Sequence, residues 1–107
     1  MTPQSEDVVI VAAARTPFGR FRGAFATLSA VELGAVAARA AIGRAGGLGV
    51  ADVDAVIVGQ GIQAGAGQNP ARQTAVGAGV ALTVPAVTLN KVCLSGLTAV
   101  IDAARLI

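Results

Sequence analysis

The stretch Pro85–Ile107, PAVTLNKVCLSGLTAVIDAARLI, reads as a strand, a tight turn and a helix in direct succession. Pro85 cannot donate to a sheet ladder, so it marks the way in. The run from Ala86 to about Val92 is apolar and rich in β-branched residues, the signature of a buried strand. Leu97, Val100, Ile101 and Ala104 then recur at helical spacing. This last helix is apolar nearly all round, which suits a helix covered on several sides. Its two charges, Asp102 and Arg105, need a partner or an edge. At the junction of strand and helix stands Cys93, the one cysteine of the chain.

Working upstream, Val53–Val58 is a second apolar strand, ended by Gly59. A glycine-rich loop, residues 59–68, follows it. Asn69-Pro70 is a helix start, with an N-cap residue and then proline at the first helical position. That helix is short and dissolves around Gly77 and Gly79. Ser29 and Glu32 form a capping box, with Leu28 and Leu33 placed for a hydrophobic staple. The helix they open covers about residues 30–45, presents Leu33, Val36, Ala37, Ala40 and Ala41 on one face, and stops at Gly46-Gly47. Before it, Val8–Ala13 reads as a strand buried on both faces, ended by Arg15-Thr16-Pro17. The order is β-α-β-α-β-α. It predicts an α/β chain with three parallel strands joined by crossovers.

Composition points the same way. The chain has 107 residues, enough for one small domain. Only 13% are charged and 54% are hydrophobic, whereas soluble domains average about 25% charged. Such a chain is either a membrane segment or a slice of something larger. The uncharged stretch from Gln73 to Asn90 is broken by Gly77, Gly79 and Pro85, short of the roughly 20 apolar residues a spanning helix needs. Glu6 and Asp7 stand where a signal peptide would be basic. The expectation is therefore a cytoplasmic protein with no membrane partner. No polar run follows the last helix, so residues 1–107 read as one incomplete domain. Net charge is +2, and Arg15, Arg20 and Arg22 make the one basic cluster, interleaved with Phe18, Phe21 and Phe25. Three arginines without Tyr or Trp are a small footprint for nucleic acid. The plainer expectation is a loop anchored by its phenylalanines, with no nucleic-acid partner.

Cys93 can be read in two ways. Backbone N–H groups at a helix start, with the positive end of its dipole, favour a thiolate and can stabilise an oxyanion formed on it. Ser95 and Gly96 are small enough for a sharp turn, the logic of a nucleophile elbow. Against this, most free cysteines are simply buried. Local physics leaves both open. A lone cysteine excludes an intrachain disulfide and a four-cysteine metal site, and no metal is expected. The chain has no histidine, so any base for Cys93 must come from outside these residues. Gly59-Gln60-Gly61-Ile62-Gln63-Ala64 also fits a dinucleotide fingerprint. That reading lacks a helix opening directly behind it and an acid about 20 residues on.

Three segments together resemble the thiolase family. Asn90–Gly96, N-K-V-C-L-S-G, is similar to the thiolase segment that holds the acylated cysteine. Val9–Gly19, VIVAAARTPFG, resembles its opening strand and turn. Gly67–Gln73, GQNPARQ, resembles a further family segment. They come in the family's order, and the likeness runs from about Val8 to Ile107. It implies the first half of a thiolase-like N-terminal domain. It also implies an acyltransferase that joins or cleaves acyl-CoA chains through a thioester on Cys93. Coenzyme A thioesters would be its substrates, with no permanently bound cofactor, and the full-length enzyme would be a homo-oligomer. The family's activating histidine, second cysteine and coenzyme A-binding loops have no counterpart in these residues, so cofactor-binding residues stay unassigned. Leu94 departs from the Gly or Ala often found beside the cysteine, and so bears on acyl length. A truncated, non-catalytic interaction fragment is the alternative of a different class.

Overall fold

A computed structural model describes residues 7–107; Glu6 lies outside them. Helix α1 spans Ala30–Gly43, and the capping box at its start is formed as expected. The Ser29 N–H donates to Glu32 Oε2 at 2.6 Å, and the Glu32 N–H donates to Ser29 Oγ at 3.1 Å. After a short 3₁₀ turn at Val50–Asp52, strand β1 runs Val56–Gly59. Helix α2 covers Pro70–Gly77, β2 covers Ala86–Leu89, and α3 covers Ser95–Leu106. The two strands pair in parallel, with Val56 opposite Ala86 and Gly59 opposite Leu89.

The sheet has two strands among the described residues, not three. Val8–Ala13 forms no strand, and its side chains are open to solvent, Ile10 at 80%. An apolar run becomes a strand only when a neighbour takes its N–H and C=O groups. Here the segment is held beside α1 by Arg44, which donates to the Ala13 carbonyl at 3.4 Å. A cavity of about 210 Å³ separates Val11 and Ala12 from Val53. The two strands that do form are shorter than expected, because each lasts only while it faces the other.

The core is built from small side chains: Ala71, Ala75, Ala78 and Val80 are buried, with Ala38, Ile42, Val53, Val56 and Val84 packed around them. Helix α1 turns a different face inward from the expected one. Gly34, Ala35, Ala38 and Ile42 meet α2 and the core, while Val36 lies half in solvent. The reason is close approach: a Cβ at Gly77 would lie 2.8 Å from Ala35 Cβ, and one at Gly34 would lie 3.2 Å from the Thr74 side chain. Small residues let the glycine backbone of each helix lie against a short side chain of the other, and Val36 is turned out. No helix among the described residues is long and apolar enough to cross a membrane. The Asp102–Arg105 pair satisfies itself one turn apart on α3, at 3.3 Å.

Candidate active site

Residues 90–94 reverse the chain between β2 and α3, and the reversal turns on Val92. Its φ is +53°. Glycine takes that conformation freely, but for a β-branched residue it is a true outlier. Side chains on either side of Val92 hold it there. Asn90 Oδ1 accepts the Val92 N–H at 2.8 Å, while Asn90 Nδ2 donates to the Gly61 carbonyl at 3.0 Å. Ser95, only 2% exposed, accepts the Lys91 N–H at 2.8 Å and donates its hydroxyl proton to the Val92 carbonyl at 2.7 Å. The Leu94 N–H donates to the Lys91 carbonyl, and the Ser95 N–H to the Val92 carbonyl. The N–H groups of Lys91, Val92, Leu94 and Ser95 are thus used inside the elbow. That of Cys93 takes no part in these bonds, and the Cys93 side chain is exposed.

Glycines set the height of the elbow. A Cβ at Gly59 would collide with the Ser95 backbone, and one at Gly61 would lie 3.1 Å from the Val92 carbonyl oxygen. Gly96 meets nothing within 4 Å, so open space lies before the first turn of α3. Ser95 therefore serves as a hydrogen-bonding hub rather than merely a small residue. Leu94, 46% exposed, points away from the core.

The second family-like segment, GQNPARQ, ties the neighbouring elements together. Asn69 caps α2 with φ +43°, donates to the Ala86 carbonyl at 3.0 Å and accepts the Thr88 hydroxyl at 2.7 Å. Thr88 Oγ1 in turn accepts the Ala71 N–H at 2.9 Å. Gln73 donates to the carbonyls of Ala66 and Gln68, fastening the glycine-rich loop. That loop opens no helix before Pro70, so the dinucleotide fingerprint lacks the helix N-terminus it depends on. The loop instead buttresses the cysteine elbow through Gly61. Nothing in its glycine spacing shows this. Asn90, an amide two residues ahead of an apolar turn, was the signal that could have.

The arginine-rich loop differs from expectation. Phe18 and Phe21 do not anchor it: they are 93% and 87% exposed. Arg15 lies over Phe18 at 5.0 Å and Arg22 over Phe21 at 5.1 Å. Phe25 alone turns inward, against Gly19. No group of three or more metal-ligating side chains occurs among the described residues.

The family model described as thiolase, N-terminal domain, matches residues 8–107. This chain belongs to the thiolase family. Over 101 residues it is 56% identical to an acetyl-CoA acetyltransferase of Cupriavidus necator, covering 94% of this chain and 25% of that protein. It is 47% identical to the mitochondrial acetyl-CoA acetyltransferase of Danio rerio, covering 96% of this chain and 24% of the other. Its fold matches the Acat5 thiolase of Ascaris suum, solved in complex with coenzyme A, with a TM-score of 0.87 and 41% identity. That match covers 90% of this chain and 25% of the Ascaris thiolase. The chain spans about a quarter of the length of the curated thiolases it matches. The α/β parallel architecture is that of a thiolase N-terminal segment.

Proposed function

We propose that these residues carry the nucleophile of a thiolase-type acyltransferase, and that Cys93 is that nucleophile. The observation behind the proposal is the elbow: a strained, doubly clamped turn that exposes Cys93 at the head of α3 and leaves its N–H outside the internal bonding. Strain of this kind persists only where surrounding structure over-determines it, and it clusters at functional sites.

The thiolate of Cys93 attacks the carbonyl carbon of an acyl-CoA. The new C–S bond forms and the carbonyl electrons move to oxygen, where the Cys93 N–H donates to the developing oxyanion. Collapse expels coenzyme A as its thiolate and leaves the acyl group on Cys93. A carbanion formed by removing a proton from acetyl-CoA then attacks the thioester carbonyl, and Cys93 leaves as thiolate with a 3-ketoacyl-CoA released. In reverse, coenzyme A cleaves that product. The bases for both proton transfers lie outside these residues, since the chain has no histidine. The coenzyme A held by the Ascaris relative supports acyl-CoA thioesters as the substrate class. No step calls for a resident cofactor.

The test is made on the complete protein that carries this chain. After acetyl-CoA treatment, an acetyl adduct is expected on the tryptic peptide Val92–Arg105. Cys93→Ser should lower acyl transfer by several orders of magnitude, because a serine there has no matched base. An adduct on another residue, or near-normal turnover in the serine variant, overturns the assignment.

A further inference from the structure

We infer that Asn90 and Ser95 are positioning residues that force Val92 into its left-handed conformation, and that this strained residue aims the Cys93 N–H and thiol. The inference rests on Cys93 being the nucleophile, but its structural half can be tested separately. A valine released from its neighbours returns to negative φ. Two independent fastenings oppose that return. Asn90 grips the N–H of Val92 and anchors to Gly61 on the loop behind. Ser95, buried at 2% exposure, grips the carbonyl of the same residue while holding the Lys91 N–H. Both peptide groups of Val92 are therefore clamped by side chains from either end of the turn. The residue between the clamps is the one whose backbone dihedrals set where the following peptide N–H points, and that N–H, in the same peptide plane as the clamped Val92 carbonyl, belongs to Cys93.

Neither Asn90 nor Ser95 needs to touch substrate for this. Their loss should misdirect the oxyanion donor while leaving substrate binding largely intact. A misplacement of about 1 Å at a reacting group costs on the order of a hundredfold in rate. Glycine at position 92 adopts positive φ without a clamp, so it should make the clamps dispensable.

The experiment uses the complete protein and four forms: unmodified, Asn90→Ala, Val92→Gly, and the double variant. Single-turnover acetylation is read on the Cys93-containing peptide, and each form is also melted thermally. Asn90→Ala should acetylate about 10- to 100-fold more slowly, with half-saturating acetyl-CoA within about twofold of the unmodified protein. Adding Val92→Gly should restore most of the lost rate. Val92→Gly should raise the melting temperature when Asn90 is present, and by less than half as much when it is not. Ser95→Ala takes the place of Asn90→Ala should the latter fail to fold. An unchanged rate in the clamp variant, no rescue by glycine, or equal melting shifts in both backgrounds overturns the inference. If the unmodified protein takes no acetyl group on Cys93, the nucleophile assignment falls instead, and the melting comparison alone decides whether the clamp exists.

Discussion

Gly59 at the end of β1 lies directly against the backbone of Ser95 at the start of α3, so closely that a Cβ on Gly59 would come within 2.6 Å of the Gly96 nitrogen. No flexible side chain is available to give way, because the atoms in the path are backbone. The height of the cysteine elbow above the sheet is fixed by the absence of one methyl group.

Gly59→Ala should therefore push α3 off the strand. Overpacking costs about 1–3 kcal/mol where the surroundings can relax, and a backbone-on-backbone clash belongs at the upper end. Urea unfolding should show that loss. Acetylation of Cys93 should fall with it, because Ser95 moves with the displaced helix. A variant of unchanged stability and unchanged acetylation would mean that this contact does not set the elbow.

Asn69 should matter more than an ordinary cap. It caps α2, bonds the Ala86 carbonyl and accepts from Thr88, so one side chain joins helix and strand. Asn69→Ala should cost about 1–2 kcal/mol, from a lost cap and a half-buried Thr88 hydroxyl left without its acceptor. Asn69→Gly should cost less, since glycine tolerates φ +43°. Equal losses in the two variants would show that backbone conformation contributes nothing at this site.

The start of α1 should respond to acid. The Ser29 N–H and hydroxyl hold the Glu32 carboxyl below the usual carboxylate range. A carboxyl lowered on folding stabilises the fold above its unfolded pKa, and that contribution is lost as pH falls through the folded value. Melting temperature should therefore fall more steeply with acid in the unmodified protein than in Glu32→Gln, whose amide does not titrate. Parallel pH profiles for the two would remove the capping box from the acid response.

Residues 1–107 by themselves should have no turnover and should self-associate. No histidine is present to activate Cys93. Leu97, Val100, Ile101 and Leu106 of α3 stand exposed. Together with Val56–Gly59 and Ala38, Ala41 and Ile42 of α1, that helix borders an open apolar groove of about 790 Å³. Each large side chain left in water forgoes roughly 1.5–3 kcal/mol of burial, against a typical domain stability of roughly 5–15 kcal/mol. Sedimentation velocity should show oligomers, and acetoacetyl-CoA cleavage should not exceed that of a Cys93→Ala control. A sharp monomer boundary with a cooperative melt would mean that these residues form a self-sufficient unit.

The local signals in the sequence determined the local structure. The Ser29–Glu32 box opened α1, Asn69-Pro70 opened α2, and Cys93 fell at the strand-to-helix junction, because caps act within one turn of chain, whereas α1 ended at Gly43 with Arg44 as its cap, short of Gly46-Gly47. The three motifs also led to the right family. Tertiary structure alone decided the rest. Val8–Ala13 has a strand's composition yet pairs with no strand among the described residues, because a strand is defined by a neighbour that composition cannot name. Helix α1 turns Gly34 and Ala35 inward rather than Val36, because close approach to Gly77 and Thr74 outweighed the burial of a larger side chain. Phe18 and Phe21 lie in solvent beside their arginines for want of a surface to cover them. Above all, nothing in the letters of Asn90, Val92 and Ser95 announces a left-handed valine. That conformation exists because an amide anchored to a distant loop and a buried hydroxyl grip the same residue from opposite sides, and only the folded chain brings them to it.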